Sequence, residues 1–320
     1  MTKGKEQKQL WADKVCFMNS LKGGVIFCAY TQAQAQICEK VGAKALVAIQ
    51  PPQESADDDD EEEINMADPG AVCSIMDSVV LPVFGQVRIG HEIEAHIMQE
   101  ICVDGIHEYF DMFEDDDEEE ESDDDEEKGK GKGKEKGKGK DKKPKKDNVP
   151  EIPELYLPKK PFRVPFISPA ANLGEALQRI AEGASLIHTR GGHHGNESNV
   201  AYAVSELRLI NKEIKMVVNI KDKAKEIETY ATRIKVPVGF VKQVANLGKL
   251  PVPLFGYGGV RNPSDAAFLK SSGCDGIIVG PRILNSLDAQ RRAYGIILAT
   301  QDPKNYKMLA GISNKLGVQQ

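Results

Sequence analysis

The chain has 320 residues, 40% hydrophobic and 28% charged, with a formal net charge of −7. It contains no run of about 18 apolar residues, which excludes a membrane-spanning helix, and its polar start lacks the apolar core of a signal peptide. Six scattered cysteines without a Cys-x-x-Cys pair argue for buried thiols in a reducing compartment, so the expected location is cytoplasmic.

The charge is concentrated in a few places. Residues 57–63 are seven acidic side chains in succession, and 114–127 holds thirteen in fourteen positions, broken only by Ser122. Residues 128–146 then carry eleven lysines. Without these tracts the chain is close to neutral, so bulk charge says little about its ligands.

In chain order, a helix is expected over 7–20. Short apolar, β-branched runs follow at 24–28, 45–49, 82–87, 105–107, 164–167, 185–188, 253–256 and 276–279. Each is expected to be followed by a helical segment before the next. Asn172 can cap a helix whose Leu173, Ala176, Leu177 and Ile180 form one apolar stripe, and Asn262-Pro263 is an N-cap with proline at the first helical position. Extra structure is expected over 215–247. Eight such units predict an α/β fold, a (β/α)8 barrel with an additional N-terminal helix.

The chain therefore reads as one domain. Residues 1–20 form the helix, 21–110 the first half of the barrel and 159–320 the second. Residues 111–158 are an acidic and Lys-Gly insertion between strands four and five, too poor in apolar side chains to build a core and expected to be disordered. Its default role is that of a solvated spacer; binding of basic proteins or weak Ca²⁺ binding by its carboxylates are the alternatives. The basic stretch 142–146 resembles a nuclear-targeting patch, whereas thirteen neighbouring carboxylates disfavour nucleic acid.

Barrel active sites sit at the C-terminal ends of the strands, where glycine-rich loops after the last strands often hold phosphate. Gly191, Gly192, Gly258, Gly259 and Gly280, with Arg190 and Arg282 nearby, make up the expected phosphate-binding set, and tight turns without a ligand are the plainer reading. His91, His107, His188, His193 and His194 fall at or just after strand ends, and with Cys28 and Glu108 they could converge on one mouth. His107, His188, His193 and His194 are the metal-ligand candidates, with zinc the natural ion, although no spacing matches a metal motif.

Seven collinear blocks then carry a family resemblance. They are LKGGVI (21–26), ADP (67–69), VRIGH (87–91) with Glu94-Ala95, FRVPF (162–166), LGEAL (173–177) with RIAEGA (179–184), GGV (258–260) with Pro263 and DAA (265–267), and GCDG (273–276) with Val279-Gly280. The chain resembles the synthase subunit of the two-component, glutamine-dependent pyridoxal 5′-phosphate synthase, the PdxS/SNZ family. The resemblance implies a (β/α)8 barrel assembled as two stacked hexameric rings, working with a glutaminase that supplies ammonia.

The same resemblance marks departures. Cys28 stands at the family's first-strand aspartate, Gln86 at its first Schiff-base lysine and His107 at its fourth-strand aspartate. Arg190 stands at its second catalytic lysine and Pro281 at its phosphate-binding serine, while a phosphate-loop glycine aligns near His194, one residue from Gly195. Gly259 and Gly280 are kept, and on this resemblance the family's C-terminal tail, which can cover the site, is expected to be largely missing. Imine formation needs a neutral amine: Gln86 has none, and an arginine stays protonated. The expectation is a pseudoenzyme with no catalytic residues and no required cofactor. It would be a structural or regulatory ring subunit, homo-oligomeric or mixed with a catalytic paralogue, with the glutaminase as a further candidate partner. The alternative is altered chemistry on a phosphorylated sugar or carbonyl substrate, or a residual barrel that binds phosphate or metal.

Overall fold

A computed structural model of the chain describes residues 3–51, 65–109, 157–191 and 199–316. Helix α1 (Lys3–Ser20) leads into eight parallel strands that close into a barrel in sequence order. They are β1 Val25–Ala29, β2 Ala45–Ala48, β3 Val83–Val87, β4 Gly105–Glu108, β5 Phe166–Pro169, β6 Leu186–His188, β7 Leu254–Tyr257 and β8 Gly276–Val279. β1 pairs with β2 on one side, Cys28 opposite Val47, and with β8 on the other, Ile26 opposite Ile278.

Side chains alternate across this wall. Ile26, Cys28, Ala45, Val47, Phe84, Ile167, Leu186, Phe255 and Ile278 form the interior cluster, together with Met18 of α1 and Leu21 just beyond it. Phe17 stacks on Phe84 at 6.2 Å, so α1 closes the N-terminal end of the barrel. The interior floor is filled at two glycines: a Cβ on Gly105 would run into the Phe84 ring, and one on Gly276 would lie 2.5 Å from Phe255. Residues of the opposite parity, including Phe27, Leu46, Ile106, Phe166 and Ile187, pack against the surrounding helices.

The helices are α2 Gln32–Val41, α3 Pro69–Met76, α4 Glu92–Glu100, α5 Leu173–Glu182, α6 Val200–Asn219, α7 Ala224–Arg233, α8 Val238–Leu247, α9 Pro263–Ser271, α10 Ala289–Gln301 and α11 Tyr306–Leu316. The expected caps are in place: Asn172 accepts from the Glu175 N–H at 2.9 Å and Asn262 from Asp265 at 3.0 Å. The extra structure expected over 215–247 is the end of α6 followed by α7 and α8. No helix among the described residues is long and apolar enough to cross a membrane.

One expectation is corrected, and another lies almost wholly outside the described residues. β5 starts at Phe166 instead of 164, because Pro165 has no N–H and enters the ladder only as an acceptor, from the Ile106 N–H at 2.9 Å. The helical segment expected between β4 and β5 falls in the stretch 110–156, outside the described residues. The bulk of the insertion, and the acidic run at 57–63, lie outside them.

What the structure does describe there is an ionic cluster against the outer face of β4 and β5. Lys159 is fully buried, and its Nζ bonds the Glu182 carboxylate of α5 and lies 3.3 Å from Glu108 Oε1. Glu108 Oε2 accepts from Ser168 Oγ at 2.5 Å, and Arg179 pairs with Glu182 at 3.2 Å. Lys14 of α1, also buried, donates to the Phe162 carbonyl. Lys159 and Arg179 thus balance Glu108 and Glu182 in a region from which water is largely shut out, while the buried Lys14 is met by a carbonyl, and Glu108 and Lys159 join the chain on either side of the insertion. Replacing Lys159 with Met strands Glu108 without its cation. Chemical denaturation should show a loss of about 3–5 kcal/mol, partly recovered by adding Glu108→Gln. An unchanged midpoint for the single variant would mean that the cluster holds nothing together.

Candidate functional site at the barrel mouth

Strand parity decides which groups reach the mouth. Cys28, Gln86, His107, His188 and Tyr257 share the inward parity of the interior cluster, each at or one residue from the end of its strand. The imidazoles of His107 and His188 stack at 4.9 Å with 22° between planes. Tyr109 stacks on His107 at 5.8 Å, and Tyr257 stands edge-on to His188 at 5.3 Å and to His107 at 6.0 Å. The Tyr257 hydroxyl hydrogen-bonds with both Cys28 and Tyr109. The upper barrel is therefore packed with four rings and a thiol.

These groups are held neutral. Burial pushes the Cys28 thiol up to about 12, with the bond from Tyr257 opposing weakly. Burial also lowers His188 to about 4 and takes His107 well below the usual imidazole value, with the neighbouring His188 adding to the effect. Tyr257 is raised well above 10, again chiefly by burial. His188 Nδ1 lies 2.6 Å from the Thr189 carbonyl, which assigns the proton to that nitrogen and leaves Nε2 as a lone pair. Neither nitrogen of His107 has a protein hydrogen-bond partner among the described residues, and the Glu108 carbonyl is a second backbone acceptor beside His188.

The loops above β6 and β7 are locked together. Thr189 Oγ1 donates to the Tyr257 carbonyl at 2.7 Å and accepts from the Tyr257 N–H at 2.7 Å. Gly191, Gly258 and Gly259 have φ of 77°, 124° and 67°, and a Cβ on Gly258 would lie 2.5 Å from Gly191 Cα. Glycine is thus required here by backbone conformation and close approach, whatever the ligand. The Gly191 N–H donates to Glu206 Oε2 at 3.0 Å. Gly280 has an ordinary φ of −66° and opens the 3-10 turn Pro281–Asn285, which Tyr30 and Gln34 hold through Asn285 at 2.6 and 2.9 Å.

Several expected mouth residues lie elsewhere. Glu108 has outward parity and belongs to the Lys159 cluster. His91 caps α4, its Nδ1 accepting from the Glu94 N–H at 3.3 Å. Arg190 turns to Glu175 of α5 at 3.2 Å. Gly192, His193 and His194 fall outside the described residues. Among the described residues, no three His, Cys, Asp or Glu side chains are placed to hold a metal ion, so His107 and His188 meet each other without a third ligand. β7 runs one residue beyond its expected end and so adds Tyr257 to the mouth; its spacing of two from Phe255 is the signal that points it inward.

The profile of the SOR/SNZ family matches residues 11–122 and 150–257, on either side of the lysine-rich tract. The chain is 38% identical over 298 residues to a probable pyridoxal 5′-phosphate synthase subunit of Dictyostelium discoideum, covering 93% of this chain and 84% of that protein. It is 36% identical over 312 residues to the pyridoxal 5′-phosphate synthase subunit PdxS of Chloroflexus aurantiacus, covering 97% and 92%. The subunit of the same name from Natranaerobius thermophilus is 37% identical over 297 residues, covering 92% and 86%.

The neutral lumen has a consequence for stability. His188 titrates near 6.5 when unfolded and near 4 when folded, so between those values the unfolded chain binds a proton that the folded chain refuses. The contribution is fully present above about pH 6.5 and is lost as pH falls through about 4, amounting to about 3 kcal/mol. Denaturation midpoints compared at pH 7 and pH 4 should fall more steeply for the wild type than for His188→Phe. Parallel falls would contradict the assignment.

Proposed function

Because the chain belongs to the SOR/SNZ family, we propose that it is a synthase-type subunit of the pyridoxal 5′-phosphate synthase system that keeps the barrel and has given up its imine chemistry. Its relatives bear the name of that synthase, and its role lies in vitamin B6 biosynthesis. In this reading it serves as a structural or regulatory ring subunit, alone or mixed with a catalytic paralogue, and the family's glutaminase is its further partner.

One observation carries the reading: none of the eight strands bears a lysine. The inward position expected for the first Schiff-base lysine is Gln86, which has no nucleophilic amine. The second is Arg190, held by Glu175 and permanently protonated. Lys159 is no replacement, because it lies behind the wall with its amine bound to two carboxylates. The remaining lumen groups support the same conclusion. A thiol at about 12 is not ionised at neutral pH, and an imidazole at about 4 is a weak base, so neither is poised for nucleophilic or acid-base work.

Purified protein given ribose 5-phosphate, glyceraldehyde 3-phosphate and an ammonium salt should form no pyridoxal phosphate above the protein-free blank. Product above blank would overturn the loss of chemistry. For the assembly role, native mass spectrometry of the chain co-expressed with a catalytic family member should give mixed rings. A strictly monomeric protein that ignores that partner would end the ring-subunit reading.

A further inference from the structure

The loop that leaves β6 carries the donor set of an anion seat. Arg190 and Gly191 present consecutive backbone N–H groups, with Gly191 in the left-handed region at φ 77°, an arrangement that cups phosphate or carboxylate oxygens. Here both N–H groups are turned on one side chain. The Glu206 carboxylate of α6 accepts from Gly191 at 3.0 Å and from the Arg190 N–H, with the Arg190 charge adding to the attraction. Glu175 is the other carboxylate nearby, and it pairs with the Arg190 guanidinium at 3.2 Å.

The seat is rigid, and its occupant is built into the fold. A Cβ on Gly191 would lie 2.6 Å from Gly258 Cα, so the loop is pressed onto the β7 loop with no room to shift. The Asn199 N–H donates to the Gly191 carbonyl at 3.3 Å, which fixes the start of α6 against the same loop. Seven residues on, about two helical turns, Glu206 comes back over the seat. Burial raises its pKa while the two N–H bonds and Arg190 oppose the rise.

We propose that Glu206 is the specificity-determining group of the β6 loop: it fills the anion seat made by the Arg190 and Gly191 N–H groups from within and keeps phosphoryl groups out of that seat. A phosphoryl oxygen would have to displace a carboxylate from both N–H groups, and its own negative charge would then face Glu206 and Glu175 at close range. Arg190 is already paired with Glu175, and among the described residues the lumen groups below, Cys28, His107, His188 and Tyr257, are held neutral and do not offset that repulsion. The inference does not rest on the loss of catalysis. A barrel without Schiff-base lysines could still bind phosphate, so either reading can fail while the other stands.

Amide NMR of the full chain, titrated with inorganic phosphate, reads the seat directly. In the wild type the Arg190 and Gly191 resonances should stay in place. In Glu206→Ala they should shift saturably, and in Glu206→Gln, which keeps the shape and removes the charge, they should shift with affinity at least about tenfold above any wild-type response. The Gln variant serves if the Ala variant does not fold. A saturable Gly191 shift in the wild type, or none in a folded variant, overturns the proposal.

Discussion

Closing eight parallel strands into a barrel fixes the direction of every strand side chain, and a shift of one residue exchanges lumen for outer wall. Most of what is chemically distinctive here follows from that constraint. His107 and Glu108 are neighbours in sequence, yet one stacks on His188 inside the barrel and the other meets Lys159 behind it. His188 and Thr189 divide in the same way, the imidazole facing the lumen and the hydroxyl tying β6 to β7.

The result is a separation of charge from the lumen. Lys159, Glu108, Glu182 and Arg179 form a balanced cluster on the outer wall, and Arg190, Glu175 and Glu206 form a second one above β6. The lumen end of the barrel holds Cys28, His107, His188 and Tyr257, all kept neutral chiefly by burial. Imine formation on a sugar phosphate needs an amine that can lose its proton and a positive environment for the phosphate. Among the described residues the inward side chains at the strand ends include no lysine, while the scaffold runs from the α1 plug to the closed β1–β8 seam.

The scaffold was legible because local signals and the global fold agree. Asn172 with its apolar stripe and Asn262-Pro263 gave helix starts that hold to the residue, and eight apolar runs gave eight strands within two residues. The family resemblance pointed to Gln86 and Arg190 as replaced positions. Other features were beyond a linear reading. A strand-end position does not reveal parity unless the strand's register is known, so the sequence alone puts Glu108 at the mouth. Lys159 looked like one of many lysines beside a charged tract, and only the packing of 157–166 against α5 and β4 shows it buried. Glu206 sits in the middle of a helix, and nothing in sequence announces that it reaches a glycine fifteen positions earlier. Long-range polar contacts leave no periodic trace.

The central claim is that no amine in this barrel can form an imine with a sugar phosphate. Borohydride reduction followed by intact-mass measurement tests it without depending on turnover. Incubated with ribose 5-phosphate and reduced, the protein should keep its unmodified mass. A stoichiometric adduct mapped by peptide sequencing to any lysine of the chain would contradict the account.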